Sequence, residues 1–122
     1  MFLVDTGNSS TAISESDATK LGFEPRRLPT PSTRTLGVGG RGNVRAMPGP
    51  LLVCLVDSEN HFHEVEFKEL PVLLSLHETE HSGGRTRKSA YPYPALLGRD
   101  FLTRLDCVLR FDFRNWNMSI EL

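Results

Sequence analysis

No stretch of this 122-residue chain reaches the ~18–20 uninterrupted apolar residues that carry a helix across a bilayer, so no membrane span is expected. The opening Met1-Phe2-Leu3-Val4-Asp5 has no cationic region and meets an acid after four residues, which is not the pattern of a secretory signal. Neither charge sign dominates: 14 Lys and Arg face 15 Asp and Glu, for a net charge of −1. A nucleic-acid partner is therefore not expected, because neutralising phosphates calls for a basic excess. Cysteine is scarce. Cys54 and Cys107 stand far apart inside apolar runs and form no CxxC pair. That excludes a disulfide scaffold, makes both thiols candidates for small buried hydrophobes, and favours a reducing, cytoplasmic compartment. Internal repeats and linkers are also missing, so residues 1–122 read as one domain with one core.

What the chain does have is punctuation. Ten Gly and eight Pro divide short apolar runs, and only two stretches carry helix signals. Ser14 to Gly22 offers a capping Ser, early acids, a late Lys and a Gly stop, which predicts a short helix. Arg99 to Leu105 predicts a second, with Phe101, Leu102 and Leu105 on one side. Pro50–Val56 and Val65–Leu76 are strand candidates parted by a polar turn at Asp57–Asn60. Ala95-Leu96-Leu97-Gly98 is a brief buried strand, and Val108–Phe113 and Met118–Leu122 flank a turn at Arg114–Asn117, as in a terminal hairpin. Leu36 to Val44 holds four glycines in the six residues from Gly37 to Gly42, the mark of a flexible hairpin tip. His77–Ser89, polar and locally basic, is expected to be a surface loop. Short strands with regular turns imply a mainly β domain, closed or sandwich-like.

The residues that bear chemistry begin with Asp5-Thr6-Gly7, directly after an apolar strand. A carboxylate at a strand end is held clear of the core by a rigid element; a Thr follows that can donate and accept, and a Gly lets backbone N–H groups approach the carboxylate. Such a triplet turns up by chance in about one chain in forty of this length, so it decides little alone. About ninety residues on stands Leu96-Leu97-Gly98-Arg99-Asp100-Phe101-Leu102, and the glycine-rich hairpin lies between. This order resembles the retropepsins, the retroviral-type aspartic proteases, and their cellular and bacterial relatives. The corresponding elements are Phe2–Gly7, Ser14–Leu21, Leu36–Val44 and Leu96–Leu102.

The resemblance implies a closed, acid-protease-like β-barrel with one or two short helices and a flap hairpin. It implies an aspartic endopeptidase that needs no metal or organic cofactor. Asp5 would be catalytic, Thr6 would hydrogen-bond across a dimer axis, and Gly7 would orient the carboxylate. Val38, Gly39, Gly40 and Arg41 would form the flap that closes over an extended peptide or unfolded protein. Leu96, Leu97 and Gly98 would pack beneath the Asp5 turn. One triplet per chain implies a homodimer, since this chemistry uses two carboxylates in one site. Two such groups about 3 Å apart repel by about 5 kcal/mol at an effective dielectric near 20, so they hold one proton between them.

Three positions depart from the family pattern. The retroviral partner acid of Arg99 is replaced by Ser9 and Ser10. Asn8 stands where Ala or Ser is usual, narrowing or polarising the nearby pocket. Only four residues precede Asp5, so either the chain is truncated or the tail Arg110–Leu122 takes over part of the dimer interface. The competing function is a catalytically silent peptide-binding or dimerisation module on the same fold. His61, His63, His77 and His81 are expected to be solvated rather than metal ligands, because no helix supports the i, i+4 spacing of the last pair. Trp116, Phe111 and Phe113 are expected to fill the terminal hairpin's core or a dimer contact.

Overall fold

Chain entry is by strand β1 (Phe2–Val4), which is short because Asp5 ends the apolar run. In the computed structural model, which describes residues 2–31 and 44–122 and only the backbone of Glu78, β1 pairs in parallel with β7 (Ala95–Leu97). The opposite edge of β7 is bridged to Ala12 through reciprocal backbone hydrogen bonds with Leu96 of 2.9 and 2.8 Å. Next come β2 (Ile13–Ser14) and helix α1 (Glu15–Lys20). Ser14 caps the helix by accepting from the Asp17 N–H at 3.0 Å, and the chain leaves it at Gly22 with φ +89°. A 3₁₀ turn follows at Pro25–Arg27.

Strands β3 (Val44–Val56) and β4 (Phe62–Leu73) form the long hairpin of the molecule, and β2 adds to β4 in parallel, giving the order β2-β4-β3. Pro48 and Pro50 cannot donate to a ladder, and the register shifts between Pro48 and Leu51 where they sit. The core lies between this sheet, α1, β7 and helix α2 (Arg99–Arg104): Ile13, Ala18, Met47, Val53, Val65, Phe67, Leu70, Val72, Leu74, Leu97 and Phe101 are buried together. A smaller cluster joins Ala12, Val44, Leu73 and Leu96, with Tyr93 packed against it.

Mainly β with two short helices is therefore correct, but the closed barrel is not: the described strands make four separate sheets of two, three, two and two strands. The reason is chemical. Strands β5 (Leu76–Ser82) and β6 (Arg85–Tyr91) pair only with each other and are polar on both faces, so they have nothing to bury against a neighbour. Strands β8 (Val108–Asp112) and β9 (Asn117–Glu121) also pair only with each other.

The β5–β6 ribbon also corrects the loop expected at His77–Ser89. Gly83 and Gly84, both at positive φ (57° and 74°), form the two-residue turn that matches strand twist. That turn fixes the pairing even though side-chain polarity reads as loop. His77 and His81 lie on one strand, about 13 Å apart by strand rise, too far to share an ion. His77 Nε2 instead contacts Arg26 Nη2 at 2.7 Å, and Arg26 Nε reaches Glu15 Oε1 at 3.1 Å. Glu15 Oε2 accepts the Ser75 N–H at 2.8 Å. Burial pushes the Glu15 carboxyl up, but the Ser75 hydrogen bond and the nearby Arg26 and His77 outweigh it and hold it below its ordinary value.

At the tip of the long hairpin, Asp57 gathers the turn. Its Oδ2 meets His63 Nε2 at 2.9 Å, and its Oδ1 accepts the N–H groups of Glu59 and His61 at 2.8 and 2.9 Å. The His63 contact first, then these N–H groups, hold Asp57 well below the usual carboxylate range. Two expectations about burial are also corrected. Cys54 is exposed, because the alternation of β3 turns Val53 inward and its neighbour outward; Cys107 is half-buried. Trp116 is 88% exposed and Phe113 77%, at and beside the β8–β9 turn, so they do not fill the hairpin's own core. Among the described residues no helix is long and apolar enough to cross a membrane.

Candidate active site

Asp5 leaves β1 at the point where β7 ends beside it, and its N–H donates to Leu97 O at 3.1 Å. The strand pair thus continues one hydrogen bond into the turn. The half-buried Asp5 carboxylate receives the Gly7 N–H on Oδ1 at 3.0 Å, and Asn8 N–H closes the turn on Asp5 O at 3.2 Å. Thr6 and Gly7 are exposed at its apex. The turn therefore presents a carboxylate with one oxygen held by the backbone, next to two residues free to meet something outside the chain. Asn8 is buried, with its Oδ1 accepting the Ser10 N–H at 3.3 Å.

The turn is clamped from behind by helix α2. Arg99 N–H donates to Asn8 O at 3.0 Å and Asp100 N–H to Ser9 O at 3.2 Å. The Asp100 carboxylate returns the contact. Its Oδ1 accepts from Thr11 N–H at 2.8 Å, Thr11 Oγ1 at 2.6 Å and Phe101 N–H at 2.7 Å. Thr11, wholly buried, accepts the Gly98 N–H on its hydroxyl at 3.0 Å, so donor and acceptor capacity of that oxygen are both used. This close approach requires glycine: a Cβ on Gly98 would lie 2.4 Å from the carbonyl carbon of Ser10. Phe101, 0% exposed, anchors the helix in the core, and the Arg104 guanidinium lies 4.9 Å from the centre of the Phe67 ring on β4.

Of the residues singled out in the sequence, the structure places Asp5, Thr6 and Gly7 in one turn, with Leu97 O accepting the Asp5 N–H, Leu96 bridged to Ala12 and Gly98 against Ser10 and Thr11. Val38, Gly39, Gly40 and Arg41 lie outside the described residues. Arg99 makes no ion pair among the described residues; its side chain borders an open groove of about 510 Å³ with Ser9, Thr103 and Arg104. Sequence reasoning missed the pair Thr11 and Asp100, which are 89 positions apart. The available signal was weak: an acid directly after a Gly-Arg that follows a buried strand, and a hydroxyl residue shortly after the triplet.

Comparison with known proteins reaches part of this architecture. A family model described as aspartyl protease matches residues 1–52, which takes in the Asp5 turn, α1 and β3 as far as Leu52. The search of curated proteins and the search of solved structures each return no match. Over its first 52 residues, then, the chain is similar to aspartyl proteases.

Proposed function

We propose that this protein is an aspartic endopeptidase of retropepsin type, working as a homodimer in which each copy supplies one Asp5 to a shared site. The observation that carries the reading is the Asp5-Thr6-Gly7 turn, hung from β7 by the Asp5–Leu97 hydrogen bond and presenting a carboxylate that its own Gly7 orients. The aspartyl protease match over the same residues supports it. So does the exposed apolar surface a second copy could cover: Leu3 on β1 is 57% exposed, and Phe111, Phe113 and Trp116 on the terminal hairpin are 50, 77 and 88% exposed. Their exposure supports the interface role proposed for the tail Arg110–Leu122.

In the dimer one Asp5 is ionised and the other protonated, because neighbouring carboxylates resist a second charge. The ionised carboxylate takes a proton from a water while the resulting hydroxide adds to the scissile carbonyl carbon. The protonated partner gives its proton to the carbonyl oxygen, leaving a neutral diol. A diol hydroxyl then returns a proton to the dyad, the C–N bond breaks, and the departing nitrogen takes a proton from the other carboxyl. The products are a carboxylic acid and an amine, and the dyad again holds one proton. The substrate is an extended peptide or unfolded protein, which backbone pairing accepts with little sequence demand.

Incubation with an unfolded protein or peptide library from acidic to neutral pH tests the reading, with Asp5→Asn in parallel and sedimentation reporting the oligomer. The reading requires a dimer, cleavage that pepstatin blocks, and loss of at least about a thousandfold in rate for Asp5→Asn. A dimer that binds peptides without cleaving them at any pH assigns the silent module instead. A monomer at high concentration, or equal cleavage by both proteins, overturns the dyad.

A further inference from the structure

The β5–β6 ribbon stands apart from the core, and one polar chain ties its base to the body. Two-stranded ribbons are marginal in water on their own. Leu76 and Ser89 are half-buried, while the other described side chains of the two strands are exposed. At the base, Ser75 N–H donates to Glu15 Oε2 at 2.8 Å, Glu15 Oε1 meets Arg26 Nε at 3.1 Å, and Arg26 Nη2 meets His77 Nε2 at 2.7 Å. This run joins α1, the 3₁₀ turn and β5.

The last contact has a chemical condition attached. A guanidinium has donors only, so at 2.7 Å the imidazole nitrogen must be the acceptor, and the ring must be neutral with its proton on Nδ1. A second proton removes that lone pair and sets an imidazolium against a guanidinium. Among the described residues, the groups facing His77 are Arg26 from the 3₁₀ turn, Glu15 from α1 and, across the ladder on β6, the untitratable Ala90. Glu15 attracts the new charge through space, while its oxygens are engaged by Arg26 Nε and the Ser75 N–H and leave the Arg26–His77 repulsion in place.

We propose that His77 is a pH-sensitive latch: neutral, it holds the base of the β5–β6 ribbon to the body through Arg26 and Glu15, and protonated, it releases it. Its reach follows from the chain path. Strand β6 runs through Pro92, Tyr93 and Pro94 into β7, Tyr93 packs on Ala12, Val44, Leu73 and Leu96, and Leu97 carries the Asp5 N–H. Acidification therefore loosens the segment that leads into the strand beneath the Asp5 turn. The latch is a property of one hydrogen bond and stands whether or not the dimer cleaves peptides.

Amide hydrogen exchange of residues 75–91, corrected for the intrinsic pH dependence of exchange, tests it at pH 7.5 and 5.5. The latch requires opening in the wild type to rise roughly two- to tenfold on acidification, the range one net hydrogen bond supports. His77→Gln, whose amide oxygen accepts from Arg26 at both pH values, removes that rise. Arg26→Ala exchanges fast at both. His81→Gln serves as the control, since His81 Nδ1 contacts Thr86 Oγ1 at 3.2 Å within the same ribbon, and it keeps the wild-type response. Equal protection of the wild type at the two pH values overturns the proposal. So does a pH response that survives in His77→Gln, disappears in His81→Gln, or comes with unchanged protection in Arg26→Ala.

Discussion

Two regions of this molecule solve the problem of an unpaired strand end in opposite ways. Where β1 meets β7, the backbone runs on into side-chain hydrogen bonds: Leu97 O takes Asp5 N–H, Thr11 takes Gly98 N–H, and Asp100 takes three donors on a single oxygen. In the β5–β6 and β8–β9 ribbons the described ladder ends without such a continuation, and most of the side chains are exposed. The difference is one of purpose as much as of burial. A carboxylate that must point in one direction needs a support in which a displaced atom has nowhere to go. A ribbon built from exposed side chains tolerates change, and local opening there costs the rest of the fold little.

The sharpest way to break the contrast is to strike the junction where it is tightest. Gly98→Ala, with its Cβ 2.4 Å from backbone, is expected to cost about 3 kcal/mol, read as a drop in the denaturant midpoint. Next, Asp100→Ala strands two N–H groups and the Thr11 hydroxyl and is expected to cost about 2–3 kcal/mol, whereas Asp100→Asn keeps a carbonyl acceptor and is expected to cost about 1 kcal/mol. Both changes leave Asp5 in place, so impaired turnover in a folded Asp100→Asn would show that orientation of the turn, and not the presence of a carboxyl alone, sets the rate.

Asp57 sharpens the comparison from between the two extremes, since it is a networked group at a hairpin tip. Its folded-state value lies below that of the unfolded chain, so its contribution is complete above about pH 4 and is lost as pH falls through the folded value. Asp57→Asn is therefore expected to melt earlier than wild type at pH 7, by less than Asp100→Ala, with the gap closing as the pH drops below about 4. The smallest effect belongs to the terminal hairpin. Trp116→Ser should leave the stability of the isolated chain within about 0.5 kcal/mol, while the proposed dimer predicts weaker self-association for this variant by sedimentation.

Much of the architecture was legible because it is local. The Ser14 cap, the stop at Gly22, the Asp57–Asn60 turn and the buried Ala95-Leu96-Leu97 run each follow from neighbouring residues, and the structure has them where the pattern put them. The Asp5 turn was legible for the same reason. What escaped is what depends on distant partners. Nothing near Thr11 announces Asp100, and nothing in β3 tells that Cys54 faces outward until the register with β4 is known. The β5–β6 ribbon is masked in the sequence by polar side chains that read as loop, although its Gly83-Gly84 pair is a hairpin signal. Short strands with regular turns allow either a closed or a sandwich-like domain, and the barrel was implied by the retropepsin resemblance; closure needs each strand to find a further neighbour, and among the described strands polar β5 and β6 offer none.

Strand β7 lies between β1 and Ala12, so a segment near position 96 separates two stretches from the first dozen residues. A ribosome making about 5–20 residues per second has therefore emitted the aspartyl turn many seconds before the strand that steadies it exists. A nascent or prematurely ended chain stopping short of Leu97 carries the acidic triplet without its scaffold. The turn near the start of the sequence is therefore steadied only once a strand some ninety residues later has been delivered.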